Sequence, residues 1–209
     1  MRKAVVVCLA LVALALAQEK WASYTSPTLQ APPASRYGFL PEPKPSGELD
    51  FQSLDTIKYD DNVAATAWIW YHAGNGWGMK FKRPGDGITL AGALINLWPN
   101  TWPVPGGNRL LVGVFQADGP EGGPGTQLWM SDTIVGTRGA WNYIPINTAI
   151  VDYDFFIFYI QADSYPDCPG MSIDTRTNAP SGASWALQEG SFMPDIRNGD
   201  WLIRPVFHW

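Results

Sequence analysis

Gly74-Asn75-Gly76-Trp77-Gly78-Met79-Lys80-Phe81 is the stretch on which the fold turns. Trp77, Met79 and Phe81 alternate with Gly78 and Lys80, a period of two. In an extended strand that period sends every large apolar side chain to one face. The Gly-Asn-Gly before it is turn chemistry, so the strand has a defined start. Working outward, Leu110, Val112 and Val114 alternate within Arg109 to Gln116, and Leu90 and Leu94 are in phase within Ile88 to Trp98. Val63 to Tyr71, Gln127 to Val135 and Trp141 to Ile146 are rich in β-branched and aromatic residues. Phe155 to Ile160 lies inside Tyr153 to Ala162 and is apolar on both faces, which predicts a central strand covered on two sides. Shorter candidates are Gly170 to Asp174, Ser184 to Gln188 and Asp200 to Phe207.

Gly- and Pro-rich turns separate these segments, among them Pro105-Gly106-Gly107-Asn108 and Asn198-Gly199-Asp200. No window keeps a helical period beyond about two turns. The expectation is an all-β protein: an antiparallel two-sheet β-sandwich, jelly-roll-like, of about nine to ten strands. With 11 Trp, 21 Gly, 18 Pro and 16% charged residues, the composition points the same way.

The N-terminus reads as an export signal. Arg2 and Lys3 precede the apolar run Ala4 to Leu14, and Ala15-Leu16-Ala17 offers a small-x-small cleavage pattern. That run is too short for the roughly 20 apolar residues of a membrane span. Val7 before Cys8 argues against lipidation. Residues 1–17 are therefore expected to be a signal peptide, 18–53 a Pro-rich leader and 54–209 the sandwich domain. The leader carries Pro27, Pro32, Pro33, Pro41, Pro43 and Pro45 without apolar period, which favours extended chain. The protein is expected outside the cytoplasm: extracellular, cell-surface or periplasmic.

Charge narrows the partners. The formal net charge is −5, and cleavage would remove Arg2 and Lys3 as well. Binding to nucleic-acid phosphates needs a positive footprint, so a nucleic acid is not expected, and no polybasic stretch addresses anionic lipid. No membrane span is expected after cleavage. Cys168 is the sole cysteine of the expected mature chain, which leaves a buried thiol or a bridge between chains.

Several motifs in order resemble a known group. They are Tyr59-Asp60-Asp61-Asn62, the Gly74 to Phe81 strand, Val112-Gly113-Val114-Phe115 with Asp118-Gly119-Pro120, and Gly139-Ala140-Trp141-Asn142. Asp154-Phe155-Phe156-Ile157, Ser172-Ile173-Asp174-Thr175, Gly182-Ala183-Ser184-Trp185 and Gly199-Asp200-Trp201-Leu202-Ile203-Arg204 follow. Over about residues 55–207 the chain is similar to the β-sandwich accessory modules of bacterial secreted peptidases and surface proteins. The resemblance implies an accessory role, beside a catalytic domain, in tandem copies or before a C-terminal sorting tail, and it transfers no catalytic residue.

The residues themselves offer few parts for chemistry. His72 and His208 are the only histidines, and no HExxH, GxSxG, phosphate loop or CxxC occurs. Carboxylate pairs for glycoside hydrolysis would be Asp152 with Asp154, or Asp163 with Asp167. A calcium site would draw on Asp60, Asp61 and Asn62, with Asp118 and Glu121 second, although short acidic turns more often bond their own backbone. Glycan binding needs exposed flat rings beside polar groups. Trp98, Asn100 and Trp102 meet that description in the loop Trp98-Pro99-Asn100-Thr101-Trp102-Pro103, unless it folds back to close one end of the sandwich. The expected function is a secreted, non-catalytic module for surface binding or adhesion, its ligand a glycan or an extracellular protein. The alternatives are a structural subunit of an assembly joined through the leader, and a glycoside hydrolase.

Overall fold

A computed structural model describes residues 28–30, 54–85, 89–149, 154–176 and 178–208. The expected signal peptide, most of the leader, Asp152 and Trp209 lie outside them. The described strands are β1 (Thr28–Gln30), β2 (Leu54–Thr56), β3 (Thr66–Trp70), β4 (Gly76–Phe81), β5 (Thr89–Asn96), β6 (Arg109–Gln116) and β7 (Gln127–Met130). They continue with β8 (Ile134–Val135), β9 (Trp141–Ala149), β10 (Phe155–Gln161), β11 (Met171–Ile173), β12 (Ser184–Gln188), β13 (Ser191–Pro194) and β14 (Ile203–His208).

One layer runs β13-β12-β4-β10-β6-β7, with β8 also paired to β6. The other runs β2-β14-β5-β9. A third short sheet, β1-β3-β11, extends that second layer through isolated bridges Leu97↔Met171 and Ile173↔Trp201. All the paired strands are antiparallel. The chain is an all-β sandwich.

The period of two at β4 decides which side is core. Trp77, Met79 and Phe81 are each fully buried and meet Phe155, Ile157 and Tyr159 of β10, Val112 and Val114 of β6, and Leu90, Ile95 and Phe207 of the facing layer. Trp77 stacks on Trp70 at 5.1 Å and on Trp201, just before β14, at 4.5 Å, tying the two layers together. Rings stacked at such distances add to what their burial already contributes.

β10 is central, between β4 and β6, and buried along its whole length. Its outward residues Phe156 and Phe158 form a second cluster with Phe115, Trp185 and Leu187. The glycines of neighbouring strands make room for these rings. A Cβ on Gly78 would come 2.5 Å from the Phe158 ring, and one on Gly113 would come 2.6 Å from that of Phe115.

The described strands number 14 against the nine to ten expected, and β2 falls in no segment the sequence singled out; three further features also depart from expectation. Gln127 to Val135 is two strands, because Ser131 turns in to bond Val112: its N–H donates to the Val112 carbonyl, and its Oγ accepts from the Val112 N–H, both at 2.9 Å. β13 is an added strand, joined to β12 by a two-residue hairpin in which Glu189 and Gly190 both have positive φ, as this turn requires. β1 lies within the Pro-rich leader and pairs Thr28, Leu29 and Gln30 with Trp70, Ile69 and Trp68. Its partner lies some forty residues along the chain, so no local pattern marks it.

Candidate functional site

The quoted motifs converge on one buried polar knot. Arg204 of β14 is 1% exposed, and its Nε donates to Asp60 Oδ2 at 3.0 Å while its Nη2 donates to Asp60 Oδ1 and Asn62 Oδ1. Its guanidinium lies 4.2 Å from the Trp141 ring centroid, and Trp141 Nε1 donates to Asn62 Oδ1 at 3.3 Å. Asn62 adopts φ 67°, a left-handed conformation that Asn tolerates better than most residues. Its backbone N–H donates to Asp60 Oδ1, closing the acidic turn on itself. A planar fork matched to a carboxylate is the arrangement in which a buried charge is best compensated.

A second part of the knot is acidic. Asp174 accepts N–H donors from Asp61, Arg176 and Asp200, and Asp200 accepts from the N–H groups of Asn178 and Ala179. Gly199, at φ 130°, makes this approach feasible, since a Cβ there would sit 1.9 Å from the Asp174 carbonyl oxygen. Burial pushes the Asp174 carboxyl up to about 7, and the nearby Asp200 and Asp61 charges push the same way. Burial also raises Asp200.

The calcium candidates are thus engaged by protein cations. Asp60 and Asn62 bond Arg204, and Asp61 pairs with Arg176 at 3.1 Å. A calcium ion at this turn would have to displace a bound guanidinium. Asp118 gives both carboxylate oxygens to Thr126, one to its N–H and one to its hydroxyl, each at 2.7 Å. Among the described residues no three His, Cys, Asp or Glu side chains gather as a metal site.

The loop from Trp98 to Gly107 folds back over one end of the sandwich. Trp98 is 2% exposed and packs with Ala64, Ala67 and Leu202, so its ring offers no face to a ligand. Trp102 is half-buried against that cluster, and Asn100 is exposed. Arg138 fastens the loop: its guanidinium donates to the carbonyls of Trp102, Pro99 and Pro103 through Nη2, and of Pro105 through Nη1. With the Trp98 carbonyl, which accepts from Nε at 3.5 Å, five carbonyls some thirty to forty residues earlier meet one arginine, a pairing that sequence alone does not show.

Other candidates are scattered. His72 is exposed beside the β3–β4 turn. Asp163 pairs with Arg109 at 3.2 Å, Asp167 is exposed, and Asp154 lies 4.0 Å from Lys80. Asp154 also lines a cleft of about 180 Å³ with Tyr59, Lys80, Lys82 and Ser181, at the opposite end from Asp163. Cys168 is fully buried, and burial pushes its thiol up to about 12.

No family model matches the chain. Bacillopeptidase F of Bacillus subtilis (strain 168) is 34% identical over 156 residues, which cover 72% of this chain and 11% of that protein. The chain thus spans about a tenth of the curated relative it matches and is homologous to that part of a peptidase. The clostridial cysteine protease Cwp84 after propeptide cleavage is similar in fold, with a TM-score of 0.56 and 12% identity over 75% of this chain and 40% of that one. At that identity the likeness shows the fold alone.

Proposed function

We infer that this chain is an exported, non-catalytic accessory module of the peptidase-associated kind, which holds an extracellular glycan or protein rather than transforming it. The observation that carries the reading is one of proportion. A single sandwich accounts for the match, and that match is only 11% of a peptidase's length. The polar chemistry supports it. Asp60, Asn62, Asp174, Asp200 and Arg204, five of the buried polar residues of the quoted motifs, bond one another or the backbone. They act as a clasp between the acidic turn and β14, whereas a catalytic group must keep a reacting atom within reach.

The signal-like N-terminus and the peptidase relative support a place outside the cytoplasm. Among the described residues no helix is long and apolar enough to cross a membrane. The test is to incubate the purified chain with insoluble glycans and extracellular protein polymers, following both retention and release of soluble fragments. Retention without fragment release is expected. Steady release that disappears on replacing one acidic pair, such as Asp163 with Asp167, would establish an enzyme instead.

A further inference from the structure

Two phenol rings stand out at the same end of the sandwich as the Trp98 loop. Tyr71, just past β3, is 40% exposed, and Tyr165, in the β10–β11 loop, is 41% exposed. Their centroids are 5.6 Å apart with the planes at 73°, an edge-to-face pair. Most exposed large side chains on a soluble protein stand alone. A mutually oriented pair on loop tips needs an explanation.

The pair rests on a rigid support. Gln161, at the end of β10, is fully buried and bonds three backbone groups. Its Oε1 accepts from Trp70 N–H at 2.9 Å, and its Nε2 donates to the carbonyls of Trp70 and Asp163, each at 2.7 Å. These bonds hold the two tyrosine-bearing loops to one strand end. The loops also bond each other directly, Tyr165 N–H to the Tyr71 carbonyl and Ala73 N–H to Ser164 Oγ, both at 3.1 Å. Loops positioned by a buried side chain lose little freedom on binding, which is what a binding surface needs.

Polar residues adjoin both tyrosines in the sequence. His72 and Ser164 are exposed neighbours in sequence, and Asp163 forms an exposed ion pair with Arg109 at 3.2 Å. Exposed rings with hydroxyl, imidazole and carboxylate residues beside them in the sequence suit a sugar, whose apolar C–H face stacks on a ring while its hydroxyls bond polar groups. A protein partner would want a broader apolar centre than two phenols. The net charge of −5 works against a polyanionic glycan.

We propose that the Tyr71–Tyr165 pair is the contact site of this module and that its ligand is a neutral polysaccharide. The proposal rests on the binding-module reading and gives it a site. Retention of the full chain is measured on cellulose, chitin, starch and xylan, with polygalacturonate as the anionic control and a protein polymer beside them. Wild type is expected to be retained on at least one neutral polymer and to pass through polygalacturonate. Tyr71→Ala and Tyr165→Ala should each weaken retention about tenfold or more, the size expected of an aromatic anchor. Tyr71→Phe, which keeps the ring, should retain most of it. Far-ultraviolet circular dichroism and the thermal midpoint should stay close to wild type in every variant, because both rings are exposed.

Retention that survives both alanine variants would overturn the site while leaving the module reading intact. Capture by the protein polymer alone would overturn the sugar and keep a binding module. Failure to bind any polymer would remove both.

Discussion

Arg204 and Asp60 lie 144 positions apart in sequence and form a two-point ion pair with neither residue more than 4% exposed. The pair joins the acidic turn after β2 to the last strand. Removing either partner leaves the other charge buried and alone, which costs far more than the pair contributes as a unit. Arg204→Ala or Asp60→Ala should destabilise the chain by about 3–5 kcal/mol. Arg204→Lys should recover only part of that, since an ammonium cannot fill both oxygens and the Trp141 face. Urea denaturation followed by tryptophan fluorescence checks both.

Asp174 gives the fold a pH dependence of unusual sign. Its folded carboxyl is raised to about 7 from an ordinary 3.8. Between those values the folded state binds more protons than the unfolded one, so this residue's contribution falls as pH rises. The penalty begins above about pH 4 and is complete above about pH 7. The stability gained on moving from pH 7.5 to pH 5 should be larger in wild type than in Asp174→Asn. Equal slopes in parallel urea titrations would contradict that assignment.

Arg138 should matter locally. Its guanidinium holds the carbonyls of Pro99, Trp102, Pro103 and Pro105, while the sheets pack without it. Arg138→Ala should speed amide exchange across residues 100–107 about tenfold or more and leave β4, β6 and β10 protected, as expected for a sub-global opening. Exchange by mass spectrometry resolves the two regions.

Gly78 tests the outer ring layer. Alanine there would place its methyl against the Phe158 ring, which Phe115 and Phe192 in turn confine. Overpacking of this kind costs about 1–3 kcal/mol. The thermal midpoint should fall, and a paired Phe158→Leu should restore part of it.

Much of the fold was legible because its signals are local. The Trp77-Met79-Phe81 alternation placed β4 correctly and gave its buried face, and the doubly apolar Phe155 to Ile160 run marked the central strand. β1 and β13 escaped because three- and four-residue strands take their identity from a partner, here Trp68–Trp70 and Trp185–Gln188. The site was harder to read. Sequence drew attention to Trp98, whose ring the fold consumes, since loop membership says nothing of which way a ring points. Tyr71 and Tyr165 are 94 positions apart, and only Gln161 and the paired loops bring them together.

Calorimetry separates binding from turnover. Soluble oligomers of whichever polymer retains the chain are titrated into it at constant pH. Heats that saturate near one ligand per chain and then return to baseline are expected. A steady thermal power that persists after each injection would mean the ligand is being consumed, and the reading as a non-catalytic module would be wrong.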